Sequence, residues 1–105
     1  MKAIVNGKIV TPDSVLEDKA LLIEGDRIRE ITDTVAGADN VIDAGGGYIN
    51  PGFIDVHSDR IEQFIQPRPT SQMGFELALR ECERELCACG ITTIYHSMSL
   101  MKDEF

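Results

Sequence analysis

A chain of 105 residues has room for one domain with a core and not for two large ones. Hydrophobic and charged fractions of 43% and 27% fit a folded globular protein rather than a disordered or fibrous one. Ten basic against eighteen acidic residues, a formal charge of −8, argue against nucleic acid as a partner, because phosphate contacts need clustered Lys and Arg.

The opening MKAIVNGKIV has one early lysine and a turn dipeptide inside its apolar stretch, which does not fit a secretory signal. Nowhere do eighteen apolar residues follow one another, so the expectation is no membrane partner and a cytoplasmic address. Asn6 and Gly7, set between two short β-branched runs, predict a two-residue hairpin, since both can take the positive φ of a type I′ turn. ALLIEGDRIREI predicts a second hairpin about Gly25 and Asp26, and VIDAGGGYINPG a further strand leading into a glycine cluster. Residues 1–50 are therefore expected to form a small antiparallel β unit. Gly45 to Gly47 lack the helix and the Lys-Ser/Thr pair that follow a phosphate-binding loop, and read as a turn.

Residues 51–105 follow another pattern. GFIDVHSD is apolar on both faces in its first half, as in a strand covered on both sides, and a polar loop through Pro67, Arg68 and Pro69 follows. From Gly74 to Cys89 the spacing turns helical: Phe75, Leu79, Cys82, Leu86 and Cys89 recur at intervals of four and three, and Gly90 caps the helix. ITTIYHSM reads as the next buried strand, so strand, connection, helix and strand make a βαβ unit with parallel strands. Cys82, Cys87 and Cys89 show neither C-x-x-C spacing nor an even count, and read as small buried side chains. The final KDEF differs from an ER-retrieval tetrapeptide at its last position, and without a signal sequence carries no such meaning. One βαβ unit leaves a parallel edge unpaired. The expectation is a piece of a larger protein, or a chain that pairs its edges with another copy as a homo-oligomer.

Alternation along a strand puts Phe53, Asp55, His57 and Asp59 on one face and Ile54, Val56 and Ser58 on the other. A core strand would not place Asp, His and Asp inward, because a buried carboxylate without a strong partner costs several kcal/mol. A cation is such a partner. Residues two apart on a strand are about 6.5–7 Å apart at Cα, so an imidazole nitrogen and a carboxylate oxygen can converge on an ion at ~2.0–2.2 Å. His57 and Asp59 are thus candidate metal ligands, and Asp55 a candidate catalytic group that orients a ligand. Arg60 and Arg68 are candidates for holding phosphate oxygens, the second stiffened by flanking prolines. His96, near the carboxyl end of the second strand with Thr92, Ile94 and Met98, is a second catalytic candidate.

INPGFIDVHSD, preceded by a small β unit and followed by GITTIYHSM, resembles the opening of the amidohydrolase superfamily. The resemblance implies a metal-dependent hydrolase on a distorted (β/α)8, TIM-like barrel with an appended β-sandwich. The fold class expected here is accordingly α/β: part of the β-sandwich over residues 1–50, then the first βαβ unit of the barrel, incomplete in this chain. Most of that superfamily carries H-x-H on the first barrel strand, and Asp59 departs from it. That departure, with HSDRIEQFIQPRP, is similar to the phosphonate-metabolism PhnM family of alpha-D-ribose 1-methylphosphonate 5-triphosphate diphosphatases. The likeness implies hydrolysis of a phosphorylated small molecule to the 5-phosphate and diphosphate. It also implies a divalent cation, zinc or manganese, held by His57, Asp59 and residues of later strands, and a chain inactive by itself. Two rivals share the same features. One is another amidohydrolase, a cyclic amidase or sugar-phosphate deacetylase; the other is a non-catalytic oligomerisation module.

Overall fold

Asn6 and Gly7 do not close a hairpin. The computed structural model, which describes residues 1–98, places the strands on either side of this dipeptide in different sheets. The tetrapeptide at 102–105 lies outside the described residues. The chain divides into two units, Met1–Pro51 and Gly52–Phe105.

In the first unit, β1 (Lys2–Val5) joins β4 (Ala20–Glu24), β5 (Arg27–Thr32) and β6 (Asn40–Asp43) in a sheet of order β5-β4-β1-β6. A second sheet has the order β3-β2-β7, from β2 (Lys8–Val10), β3 (Val15–Leu16) and β7 (Tyr48–Ile49). The unit is mixed rather than antiparallel, because β1 pairs β6 and β2 pairs β7 in parallel. Asn6–Gly7 and Ala44–Gly47 are two crossings that pass side by side from one sheet to the other. Gly46 N donates to Asn6 O at 2.7 Å, Lys8 N to Gly47 O at 2.8 Å, and Asn6 Nδ2 to Asp43 Oδ1 at 2.8 Å. Asn6 takes a positive φ of 55°. Gly7 is required by space instead: a Cβ there would lie 2.6 Å from Ile49 Cδ1 and 2.8 Å from Ala44 Cβ. The second expected hairpin is present, with Glu24 opposite Arg27 and Gly25 at φ 61°. Ala3, Ile9, Ala20, Leu21 and Leu22 are buried here.

In the second unit, β8 (Phe53–Ser58) and β9 (Ile91–His96) pair in parallel, as the βαβ reading requires. The segment read as a loop begins instead with a helix, α1 (Arg60–Ile65). Its apolar residues Ile61, Phe64 and Ile65 fall three and four apart, the spacing that brings side chains onto one helix face. Helix α2 (Phe75–Ala88) returns the chain to β9. Gly90 ends it with φ 85°, its N–H reaching Cys87 O at 3.0 Å, the left-handed cap that glycine adopts without strain.

The core of this unit is Ile61, Ala78, Cys82 and Leu86, with Phe64, Ile65, Leu79, Ile91 and Ile94 packed around it. Of the stripe expected on α2, Cys82 and Leu86 are buried and Leu79 packs against the core, whereas Phe75 and Cys89 at its ends are exposed, and Cys87 with them. Only Cys82 is a buried thiol. Ala78 rather than Phe75 joins Ile61 of α1 in this core. β8 is not covered on both sides among the described residues, for Phe53, Ile54 and Val56 are all exposed. A two-stranded sheet with helices on it has no other layer to bury them. No described helix is long and apolar enough to cross a membrane.

Candidate functional site

The carboxyl ends of β8 and β9 lie side by side, Ser58 registering with His96. One residue further, Ser97 N donates to Ser58 O at 2.8 Å, so the pairing carries on past both strand ends. β8 stops at Ser58, and Asp59 is not a fourth strand position but the residue before the first turn of α1, with φ −94° and ψ 6°. Ser58 Oγ, not the Asp59 carboxylate, receives the N–H of Arg60 at 3.2 Å. The Asp59 side chain is left clear of the helix end, and it turns toward His57.

His57 Nε2 and Asp59 Oδ1 are 3.7 Å apart, with side chains 70% and 66% exposed. Two donors each ~2.1 Å from one ion at a tetrahedral angle are separated by ~3.4 Å. The pair therefore fits a shared cation with a few tenths of an ångström of adjustment. The other ring nitrogen, Nδ1, lies 3.0 Å from Ser97 Oγ. Asp55 Oδ1 accepts the backbone N–H of His57 at 3.1 Å. Asp55, His57, Asp59 and Ser97 thus form one contact chain. Ser97 was missed by sequence reasoning, and its only signal is that it directly follows His96 at the end of a strand parallel to β8.

Among the described residues no three His, Cys, Asp or Glu side chains converge to enclose an ion. His57 and Asp59 stand as a pair, with no third such side chain beside them among the described residues. Both ring nitrogens of His96 are buried with no hydrogen-bond partner among the described residues. Arg60 is spent on α2. Its Nε and Nη2 donate to Glu85 Oε2 and Oε1 at 2.8 Å each, Nη1 donates to Gln63, and the guanidinium lies 5.2 Å from the Phe64 ring centre. This charge-assisted fork holds the Glu85 carboxyl below the usual carboxylate range and pushes Arg60 further up. Arg68 is exposed on a loop whose ends are tied by Ser71 N to Arg68 O at 3.0 Å and Met73 N to Ile65 O at 2.7 Å.

No family model matches the sequence. A dihydroorotase of Staphylococcus epidermidis is 41% identical over 83 residues, which are 76% of this chain and 19% of that protein. The alpha-D-ribose 1-methylphosphonate 5-triphosphate diphosphatase of Escherichia coli is 27% identical over 97 residues, 92% of this chain and 25% of that protein. The crystal structure of an amidohydrolase matches 98% of this chain and 27% of its own, with a TM-score of 0.69 at 28% identity. This chain is an amino-terminal segment of the amidohydrolase superfamily. A prolidase bound to N-methylphosphonate-L-proline, at 21% identity and a TM-score of 0.64, shares the fold. The chain spans about a quarter or less of the length of the curated relatives it matches. As a superfamily segment it is α/β, with two small sheets in the first unit and the β8–β9 pair with its two helices in the second.

Proposed function

We propose that this segment supplies the first βαβ unit of a metal-dependent hydrolase barrel, with His57 and Asp59 as its first two ligands. The supporting observation is their place: two donor atoms 3.7 Å apart, just past the carboxyl end of β8 and beside the carboxyl end of β9. Catalytic groups of β/α barrels sit at that end. A divalent cation, zinc or manganese, supplies Lewis-acid neutralisation of charge at the reacting group. The chain's own residues do the rest of the work assigned here. Asp55 fixes the backbone at His57, His57 and Asp59 present nitrogen and oxygen donors, and His96, in register with Ser58 at the end of β9, is the second catalytic candidate.

The substrate class favoured is a phosphorylated ribose, alpha-D-ribose 1-methylphosphonate 5-triphosphate, cleaved to the 5-phosphate and diphosphate. Support comes from Asp59 standing second in H-x-D, an oxygen donor suited to harder cations, and from the likeness to the Escherichia coli diphosphatase over 92% of the chain. Arg68 is the guanidinium assigned to phosphate oxygens; Arg60 joins it only by releasing Glu85. A second reading, a cyclic-amide hydrolase, is favoured by the 41% identity to a dihydroorotase. The unpaired outer edges of β8 and β9 are assigned to further strands of the barrel or to a second copy of the chain, and the cytoplasm is the proposed address.

Calorimetric titration of Zn²⁺ and Mn²⁺ into the chain tests the ligand pair. Uptake that is lost in both His57→Ala and Asp59→Ala is expected; equal uptake by either variant would remove the assignment. Diphosphate release from the 5-triphosphate, set against hydrolysis of dihydroorotate, separates the two substrate readings on a protein that contains the whole barrel. The 105-residue chain alone is expected to turn over neither.

A further inference from the structure

The two ends of the His57 imidazole meet different chemistry. Nε2 faces the Asp59 carboxylate at 3.7 Å, and Nδ1 lies 3.0 Å from the Ser97 hydroxyl. Ser97 is no free rotor on a loop tip. It is half-buried, and its backbone N–H is tied to Ser58 O at 2.8 Å, one residue from His57 along the chain. The hydroxyl is thereby carried by the same strand pairing that carries the imidazole, and Asp55 pins the His57 backbone from the other side.

We infer that Ser97 is a positioning residue for His57. Its hydroxyl accepts the Nδ1–H, holds the ring plane, and leaves the Nε2 lone pair toward Asp59 as the nitrogen offered to a cation. The inference rests on the metal reading given above and adds to it a residue and a choice of atom. The physical case is one of competition between the two nitrogens. An imidazole can ligate through either, and the hydrogen bond made by one decides which remains for the ion. A ring flip about χ2 would bring Cδ2, which makes no such hydrogen bond, against the Ser97 hydroxyl and break the contact. A serine hydroxyl suits the position because it can accept from Nδ1–H when the ion is bound and donate to a bare Nδ1 when it is not. No reorganisation of the backbone is needed between the two.

The test uses the ¹⁵N-labelled 105-residue chain, whose two histidines give separable ring signals in long-range ¹H–¹⁵N spectra, assigned with a His57→Gln variant. Without metal, Ser97→Ala is expected to move the Nδ1 resonance of His57 and leave the His96 ring in place, while Ser97→Thr keeps the parent spectrum. An unmoved His57 ring in Ser97→Ala would overturn the contact. With Zn²⁺, the parent is expected to respond at Nε2 and to carry its ring proton on Nδ1. Ser97→Ala is expected to bind Zn²⁺ ~10- to 100-fold more weakly, with Ser97→Thr restoring most of the loss. A response at Nδ1 in the parent, or equal Zn²⁺ affinity in Ser97→Ala, would overturn the positioning role alone. No response of either His57 nitrogen to Zn²⁺ in the parent would remove the metal reading and the role of Ser97 with it.

Discussion

Gly52 backs directly onto Thr92 where β8 begins beside β9. A Cβ placed on it would lie 2.0 Å from Thr92 Oγ1, 2.3 Å from Cγ2 and 2.6 Å from Cβ. Rotation about χ1 of Thr92 can carry the hydroxyl and methyl aside, but its Cβ is fixed to the backbone. Gly52→Ala therefore forces the two strands about 0.8 Å further apart at this point, to reach the 3.4 Å where ordinary contact begins. Gly52 is not among the positive-φ glycines, so the cost is steric and not one of backbone strain. Overpacking of this kind costs ~1–3 kcal/mol. Urea denaturation followed by circular dichroism should show a lower midpoint for Gly52→Ala at an unchanged slope. Thr92→Gly removes all three clashing atoms, so adding it to Gly52→Ala should recover much of the loss, a coupling of about 1 kcal/mol or more. Parent-like stability in Gly52→Ala, or strictly additive costs in the double variant, would refute the close approach.

Three further outcomes follow from the same structure. Cys82 is fully buried, and burial pushes its thiol up, whereas Cys87 and Cys89 are exposed; a thiol reagent should label two cysteines in the native chain and the third only in denaturant. Glu85, held low by hydrogen bonds from Arg60, and Asp43, held low by the Gly45 N–H and then Asn6, have folded-state values below their unfolded ones. Their contribution is thus intact above the ordinary carboxylate range, around pH 4, and is lost as pH falls through the depressed values; the urea midpoint should drop there, less steeply in Glu85→Gln. His96→Leu removes two buried nitrogens that have no hydrogen-bond partner among the described residues and should raise stability by ~1–2 kcal/mol, with a loss on urea titration counting against their isolation.

Elements whose signals were local could be read from the sequence. The Gly25 hairpin, the Gly90 cap and helix α2 each rest on residues within one short stretch, so turn chemistry and periodicity suffice to place them, and the parallel β8–β9 pair follows from the strand-helix-strand order. The first dipeptide turn was not legible, because Asn-Gly between apolar runs looks the same whether the runs pair with each other or leave for separate sheets. What decides it is the second crossing at Ala44–Gly47, forty residues on, whose backbone bonds to Asn6 and Lys8 make the paired passage better than a hairpin. The exposure of Phe75 was hidden for a related reason. Phe75 fits the periodic pattern, but which of several apolar residues faces inward depends on the partner, and the partner is a helix, α1, of only six residues, too short for its periodicity to mark it.

At the site the alternation argument holds only in part. Asp55 and His57 are two apart on β8, but the strand has ended before Asp59, so strand pleat alone does not bring that carboxylate to the imidazole. The turn into α1 does so: Asp59 stands before the first helical residue with its carboxylate bonded to no helix N–H, and the side-chain bond at this corner is Ser58 Oγ accepting from the Arg60 N–H. The separation of the two groups in H-x-D is thus set by the corner that follows the strand and not by the pleat, which is why alternation alone does not give it.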